Sequence, residues 1–423
     1  MTVSVKHAHQ SAIADDPTRD VSSGEWNAEH TVSGLAAYEA GCDQGTSFPG
    51  SPVSGQMYYR TDRKVAYRYE DSVWTPERSY GAMTLYVDPT GTDDSSHGFA
   101  SGTDAFLTIN YALSQVPAIY GGDVVINVAA GTYTENVVVR GKSPSGPYTL
   151  TIQGTLTTTV SDTMTSGVQG TYNSSTQASV TKTSAGWTTD AYKNKLCKFT
   201  SGSNDGQYRI IETNSSTTLT LVGQKLPAAP AASDTFSIMS FGTVVSGTFA
   251  IYCGCVVLNI SVTGTTTFYG GPVSCTRCSF TNVSAAGSTS IIGGLNTCVV
   301  NAASGTAVDV TVAIGTWTMQ SCYLTTMSGN IALLVRQTVS CALMSCIMDG
   351  GGAATPNGII LCRGVTEVGL NGSTDLKLIL KNSTGTGILA NYGGVFYGKA
   401  SATAFSSVST QSSADATTYS AVV

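Results

Sequence analysis

The sequence predicts an all-β protein whose body is a right-handed parallel β-helix of about ten coils. A capping helix, a small inserted β-domain and a short N-terminal region complete the expected fold. Three observations carry this. Only 11% of the 423 residues are charged and 46 are Gly, and Ser, Thr, Val and Ala make up much of the rest, a composition suited to strands and tight turns. A hydrophobic share of 41% with a net charge of −6 places the chain among folding sequences. The cysteines beyond residue 250 recur at a nearly fixed interval.

That interval is the strongest signal. "CVVLNISVTG" begins at Cys255, "CSFTNVSAAG" at Cys278, "CVVNAASG" at Cys298, "CYLTTMSG" at Cys322 and "CIMDGGGA" at Cys346, giving steps of 23, 20, 24 and 24. Each unit is a cysteine, a few β-formers, a polar residue and a turn ending in Gly. A period in the twenties marks a solenoid whose units bury their apolar face only by stacking. The units are too short for helical repeats and lack the leucine-rich pattern, which leaves one coil of parallel strands per period. Coils stack about 4.8 Å apart, so equivalent residues form ladders. Cysteine, small and apolar, suits an inward ladder. The pairs "CGC" at 253–255 and "CTRC" at 275–278 do not gather four ligands at one point. All four histidines (His7, His9, His30, His97) precede residue 100, so the repeat has no base for a cysteine nucleophile.

Taken in order, residues 1–48 form a polar, weakly periodic N-terminal segment. Residues 49–83 form a small aromatic module, in which "GQMYYRT" and "KVAYRYEDSVWTP" make a hairpin around "TDR" and Tyr58, Tyr67, Tyr69 and Trp74 supply its core. Residues 84–154 contain the first strands and one helix over about 104–116, apolar at Phe106, Ile109, Leu113 and Val116, which would cap the open end of the stack. Residues 155–240 break the rhythm and read as an inserted β-domain with strands at 196–200, 206–213, 217–222 and 234–239. Coils resume over 241–400, and the Ser/Thr/Ala-rich tail 401–423 is either a frayed end or a strand exchanged between subunits.

Several stretches resemble known families. "YVD", the Gly/Asp loop, "TINYAL", "VVINVAAGTYTENVVV" and "LTIQG" stand in the order found in pectin-lyase-like parallel β-helix proteins. This resemblance covers residues 84–154 and concerns fold, because the same fold hosts lyases, hydrolases and inert fibres. "WTTDAYKNKL", "GQYRIIETN" and "DTFSI" are similar to insertion modules of bacteriophage tail proteins. "HAHQSAIADDPTRDVSSGEWNAEHTVSG" and "PVSGQMYYRTDRKVAYRYEDSVW" are similar to N-terminal modules of phage tail-associated proteins. The resemblance implies a tailspike or tail-fibre type virion component, docked on other tail or portal-proximal proteins through residues 1–83, with a shaft that projects toward host surface polysaccharide. Three slender stacks side by side bury one flank each, which predicts a homotrimer.

No catalytic, metal or cofactor site is assigned. A glycosidase needs two carboxylates roughly 5–9.5 Å apart, and aligned on the cysteines no two acids of 241–400 (Asp309, Asp349, Glu367, Asp375) stack. Asp349 with Arg336 or Arg363 reads as an exposed salt bridge, while Asp93 and Glu135 read as turn, cap or other structural residues. Trp187, Tyr192 and Tyr208 in the insert are the candidate glycan-contacting residues, with core packing as the competing role. A polysaccharide depolymerase with an intersubunit site and a non-receptor decoration protein are the alternatives. The charge balance gives no footprint for nucleic acid. With neither an apolar leader nor a spanning stretch, no membrane insertion is expected, and assembly is expected in a bacterial cytoplasm.

Overall fold

The computed structural model describes residues 4–5, 30–31, 43–170, 176–287, 291–326, 331–350, 359–362, 365–368, 378–391, 395–398, 403–414 and 421–422. Most of residues 1–48, including His7, His9 and residues 26–29, lies outside them. The fold is all-β, in two compact units, 1–81 and 82–423.

In the first unit Met57–Arg60 pairs antiparallel with Val65–Glu70, which pairs antiparallel with Val73–Ser79. "KVAYRYEDSVWTP", expected as one arm of a hairpin, is thus itself a hairpin. Asp71 and Ser72 turn it at φ of 51° and 66°, the left-handed pair that matches strand twist. Phe48 lies flat on Trp74 at 4.7 Å between centroids and 7° between planes, and edge-on to Tyr67. Arg60 covers Phe48 at 4.8 Å while binding Asp62 at 2.7 Å.

The second unit is built on three ladders of parallel strands, which the chain visits in turn. The first holds Met83–Val87, Val124–Val128, Leu150–Gln153, Cys255–Leu258, Gly271–Thr276 and Ile291–Asn296, then the later halves of Val308–Gln320 and Leu333–Met344. The second runs through Gly131–Tyr133, Thr243–Val245, Val299–Ala302, Tyr323–Thr326 and Ile347–Asp349. The third runs through Val137–Val139 and Phe249–Ile251 into the ends of Ile260–Phe268 and Ser279–Gly287 and the starts of Val308–Gln320 and Leu333–Met344. Thr403–Ala414 pairs in parallel with Leu378–Asn391, and Ala421–Val422 continues the first ladder. Within the tail, residues 403–414 and 421–422 thus add strands to the ladders.

The corner between the first and second ladders explains the cysteines. In successive layers one residue there adopts left-handed backbone: Asn259 (φ 59°), Arg277 (51°), Thr297 (53°), Ser321 (54°) and Ser345 (54°). For non-glycine residues this costs about 1 kcal/mol or more each. It is held by a repeated bond, in which the amide of Arg277, Thr297 and Ser321 donates to the carbonyl of Asn296, Gln320 and Met344 in the next layer. The residue after each is Ile260, Cys278, Cys298, Cys322 and Cys346, one above another. Cys255 does not head this column as its spacing suggested. It lies opposite Val273 in the first ladder, and the true first step, from Ile260, is 18 residues.

Each thiol of this column sits inside the bend and donates to two carbonyls. Cys298 reaches Asn296 at 3.3 Å and Cys275 at 3.3 Å, Cys322 reaches Gln320 and Leu295, and Cys346 reaches Met344 and Met319. A weak donor on a small apolar body meets both needs of this corner. Nine described cysteines are free thiols, and among the described residues no group of three or more His, Cys, Asp or Glu is placed to hold a metal ion.

The helix is Ile109–Gln115, shorter at its start than 104–116 because Thr108 is extended and caps it, accepting from the Tyr111 amide at 3.1 Å. Two carboxylates fix its entry: Asp93 accepts from the Leu107 and Thr108 amides, and Glu135 from those of Ile109 and Asn110.

Residues 156–241 form a seven-stranded antiparallel sheet, including Leu196–Phe199, Tyr208–Asn214, Thr218–Val222 and Thr235–Phe241. Alternation sends its apolar residues to two cores. Cys197, Ile211, Leu219 and Leu221 pack with Trp187, Phe199 and Phe236. Leu196, Ile210 and Val222 pack instead on Val299, Tyr323 and Ile347, one outward column of the second ladder. The insert is thereby docked on the stack, and each such side chain contributes about 1.5–3 kcal/mol on burial.

Two outcomes follow. Burial holds the thiols of Cys255, Cys275, Cys298, Cys322 and Cys341 well above the usual range, and pushes Cys197 up to about 12. At pH 8 iodoacetamide should modify half-buried Cys253 before Cys197, Cys255, Cys275, Cys298, Cys322 and Cys341, which should react only in denaturant; mass spectrometry showing fast native alkylation of Cys298 or Cys322 would contradict the buried column. Tyr323→Ala should lower stability by about 3–5 kcal/mol and speed proteolytic cleavage within 156–241, whereas unchanged cleavage would contradict docking through this column.

Candidate functional site

The outward face of the first ladder carries a groove of about 770 Å³. Register defines its parts. The floor is the column Val256, Ser274, Gly294, Thr318. One rim is Pro272, Ile292, Thr316, and the other Asn296, Gln320, Met344. The loop carrying Lys142, Ser143, Pro144 and Tyr148 closes the end toward residue 120.

Two adjacent glycines have separate roles here, Gly294 making the depression and Gly293 making room beneath it. At Gly294 the outward side chain is missing between Ser274 and Thr318. At Gly293 the inward side chain is missing because Trp317, buried at 1%, fills the interior one layer on. A Cβ at Gly293 would stand 2.8 Å from the Trp317 ring.

The lining pairs neutral hydrogen-bonding groups (Ser274, Asn296, Thr316, Thr318, Gln320) with apolar and aromatic surface, of which Ile292 is 62% and Tyr148 38% exposed. Among the described residues no Asp or Glu lines it, and Lys142 is the one charged residue that does. Lys142 donates its ammonium to the Val116 carbonyl, and burial lowers its pKa. Burial also raises the Cys253 thiol and the Tyr120 phenol, so neither is an anionic nucleophile at neutral pH.

The residues singled out in the insert lie elsewhere. Trp187 is buried at 8% and meets Tyr192 and Phe236 edge-on at 5.8 and 6.2 Å, an arrangement of core packing. Half-buried Tyr192 packs on the same core, with the Lys195 ammonium 5.3 Å from its ring. Tyr208 lies at the docking seam, flanked by Arg277 at 4.8 Å and Lys198 at 5.6 Å. The three do not form one surface.

Asp349, read from the sequence as exposed, is buried. It is 6% exposed, lies in register with Thr325 and Asn301, and accepts from the Tyr323 hydroxyl at 3.0 Å. Arg363 is outside the described residues, as is the side chain of Arg336. Glu212 comes to the same seam from the insert: 3% exposed, it sits where the register slips between Ile211 and Thr213, and it accepts from Gln177 at 2.5 Å. A bulge re-aims a side chain in this way. Burial, then the charges of Asp349 and Glu212, push the Tyr323 phenol far above its ordinary range.

No family model and no curated protein matches this chain. Among solved structures it is similar to the tailspike gp61 of Pseudomonas phage phi297, at 11% identity and a TM-score of 0.22, over 72% of this chain and 66% of that one. It is also similar to the gp54 tailspike of Acinetobacter baumannii bacteriophage AP22, solved with a capsular saccharide (10%, TM-score 0.19, 69% and 64%). A third is the tailspike gp49 of Pseudomonas phage LKA1 (11%, TM-score 0.19, 81% and 68%). The chain thus spans just under two thirds of the length of the first two. Among the described residues no helix is long and apolar enough to cross a membrane.

Gly293→Ala should destabilise the protein by about 1–3 kcal/mol through overpacking against Trp317, and Trp317→Phe should restore part of the loss. Denaturant melts of both variants check this; an unchanged midpoint for Gly293→Ala would show that the glycine is not required by the tryptophan.

Proposed function

We propose that this chain is a virion protein of the tailspike or tail-fibre type that binds host surface glycan along the first ladder. In this reading the three ladders form a right-handed parallel β-helix of about ten coils, three copies associate into a rod, and residues 1–83 attach it to the particle. The observation that carries the reading is the groove: elongated along the stack, lined by neutral amides and hydroxyls with exposed aliphatic and aromatic surface. This is the surface a polysaccharide takes, since each sugar has apolar faces and a hydroxyl rim. Repetition along a rigid stack, and among three copies, turns weak contacts into avidity. The resemblance of the N-terminal and inserted segments to phage tail modules supports the same assignment. That no carboxylate stands among the described lining residues supports binding over hydrolysis, which needs two.

Binding of purified host capsule or lipopolysaccharide, measured by biolayer interferometry, tests the reading. Asn296→Ala and Gln320→Ala are each expected to weaken binding about 5- to 30-fold, as loss of a hydrogen bond to sugar implies. Wild-type affinity in both variants would remove the groove from the account. Release of reducing ends or unsaturated uronate would move the assignment to a depolymerase.

A further inference from the structure

The first three layers of the first ladder carry a second recess, of about 200 Å³. It lies along the column Tyr86, Asn127, Gln153. Alternation sets the direction of these residues: Leu85, Val87, Ile126, Val128 and Ile152 are buried in the interior, so the residues beside them in each strand face out. Ser101 and Gly102 form one wall. The loop that carries them is fixed to Met83–Val87, where the Tyr86 amide donates to the Gly98 carbonyl and the Phe106 amide to the Tyr86 carbonyl, each at 2.9 Å. Gly102 turns in this wall at a φ of 74°, which favours glycine.

The polar groups of the recess fall into two sets. One set holds the corner: the Thr155 hydroxyl donates to the Val128 carbonyl at 3.0 Å, and Asp88 Oδ1 accepts from the Thr90 amide and hydroxyl at 2.9 and 2.7 Å. The other set is open, since among the described residues the side chains of Tyr86, Ser101, Asn127 and Gln153 have no hydrogen-bond partner. Each carboxamide brings two N–H donors and a carbonyl acceptor, and those of Asn127 and Gln153 rise from adjacent layers about 4.8 Å apart. Such a pair suits neighbouring hydroxyls, which both donate and accept. Among the described residues no Lys, Arg or His lines the recess, whereas Asp88 does, so an anionic ligand would be repelled. At about 200 Å³ it is smaller than the roughly 300–1,000 Å³ of a drug-sized pocket, which leaves room for one sugar ring.

The same register column joins the recess to the groove. Gln153 pairs with Leu258, Leu258 with Thr276, Thr276 with Asn296 and Asn296 with Gln320. The amide-bearing rim of the groove is therefore the continuation of the Asn127–Gln153 column, and Leu258 and Thr276 between them are only half-buried. From Asn127 to Asn296 is a distance of four layers, about 19 Å. The repeat of an extended glycan is close to the layer spacing, so a chain of about six sugars, one per layer, reaches both places.

We propose that this recess is a second subsite for the glycan chain that occupies the groove, taking one neutral sugar against Asn127 and Gln153. The proposal rests on the glycan-binding reading but uses residues that the groove does not.

Calorimetric titration of the full chain with size-fractionated fragments of host capsule or lipopolysaccharide glycan tests it. Fragments of about two or three sugars, which fill the groove alone, should bind weakly, and affinity should rise about tenfold or more once fragments reach about six sugars and engage both subsites. Asn127→Ala and Gln153→Ala should each lower the affinity of the long fragments about 3- to 10-fold while leaving the short fragments and the melting temperature unchanged, because both positions face outward. Gln320→Ala should weaken long and short fragments alike. A gain with length that survives Asn127→Ala and Gln153→Ala, or no gain with length at all, would overturn the subsite and leave the groove standing. A gain found only with uronate-bearing fragments would overturn the neutral assignment. Absence of binding at every length would remove the glycan-binding reading itself, and the subsite with it.

Discussion

The second unit depends on vertical registration: like residues lie over like residues at the spacing of parallel strands. The register is pinned at the corner between the first and second ladders, where left-handed backbone is repeated layer after layer and the amides of Asn259, Arg277, Thr297 and Ser321 bond across to the next layer. The strain of one corner is offset by its neighbours, so the corner is stable as a column and not as a single turn. The thiol that follows lies inside the bend and donates to two carbonyls, one of which, that of Asn296, also accepts from the Arg277 amide. An isoleucine serves in the same place at residue 260, which shows that the column needs an apolar body first.

This geometry explains how the rest is arranged. A side chain missing in one layer becomes a depression between its neighbours, as at Gly294. A side chain too large for its own layer is accommodated by a glycine in the next, as with Trp317 and Gly293. The insert exploits the same regularity from outside, since three outward residues in one column, Val299, Tyr323 and Ile347, present a continuous apolar strip to three strands of its sheet.

Much of the fold was legible because a stack writes its period into the sequence. The 20- and 24-residue steps from Cys278 onward are the layer lengths. Cys255 misled because cysteine also suits interior positions of the first ladder, where Cys275 and Cys341 lie buried as well. The docking of the insert was hidden, since an outward apolar column has the same period as an inward one and alternation does not say which face is covered. Glu212 was hidden for another reason: a bulge breaks the alternation that would have assigned its face. Within the site, the aromatic residues of the insert drew notice by type, yet Trp187 belongs to a core. The groove left little trace, because Asn296 and Gln320 are ordinary turn and strand residues until register sets them side by side.

Disulfide trapping across adjacent layers tests the registration most directly. Thr267 and Ser284 are register partners on the outward face of the third ladder, whereas Thr267 and Ala286 are offset by two residues. Paired strands place partner Cα atoms about 4.8 Å apart, within the range of about 4.4–6.8 Å that a disulfide spans, and the offset pair beyond the limit of about 7 Å. Mild oxidation should therefore cross-link Thr267→Cys with Ser284→Cys and leave Thr267→Cys with Ala286→Cys reduced, as read by peptide mass spectrometry. Equal cross-linking of the two pairs, or linkage of the offset pair alone, would contradict the stacked ladders on which the groove, the docked insert and the amide-bearing column all depend.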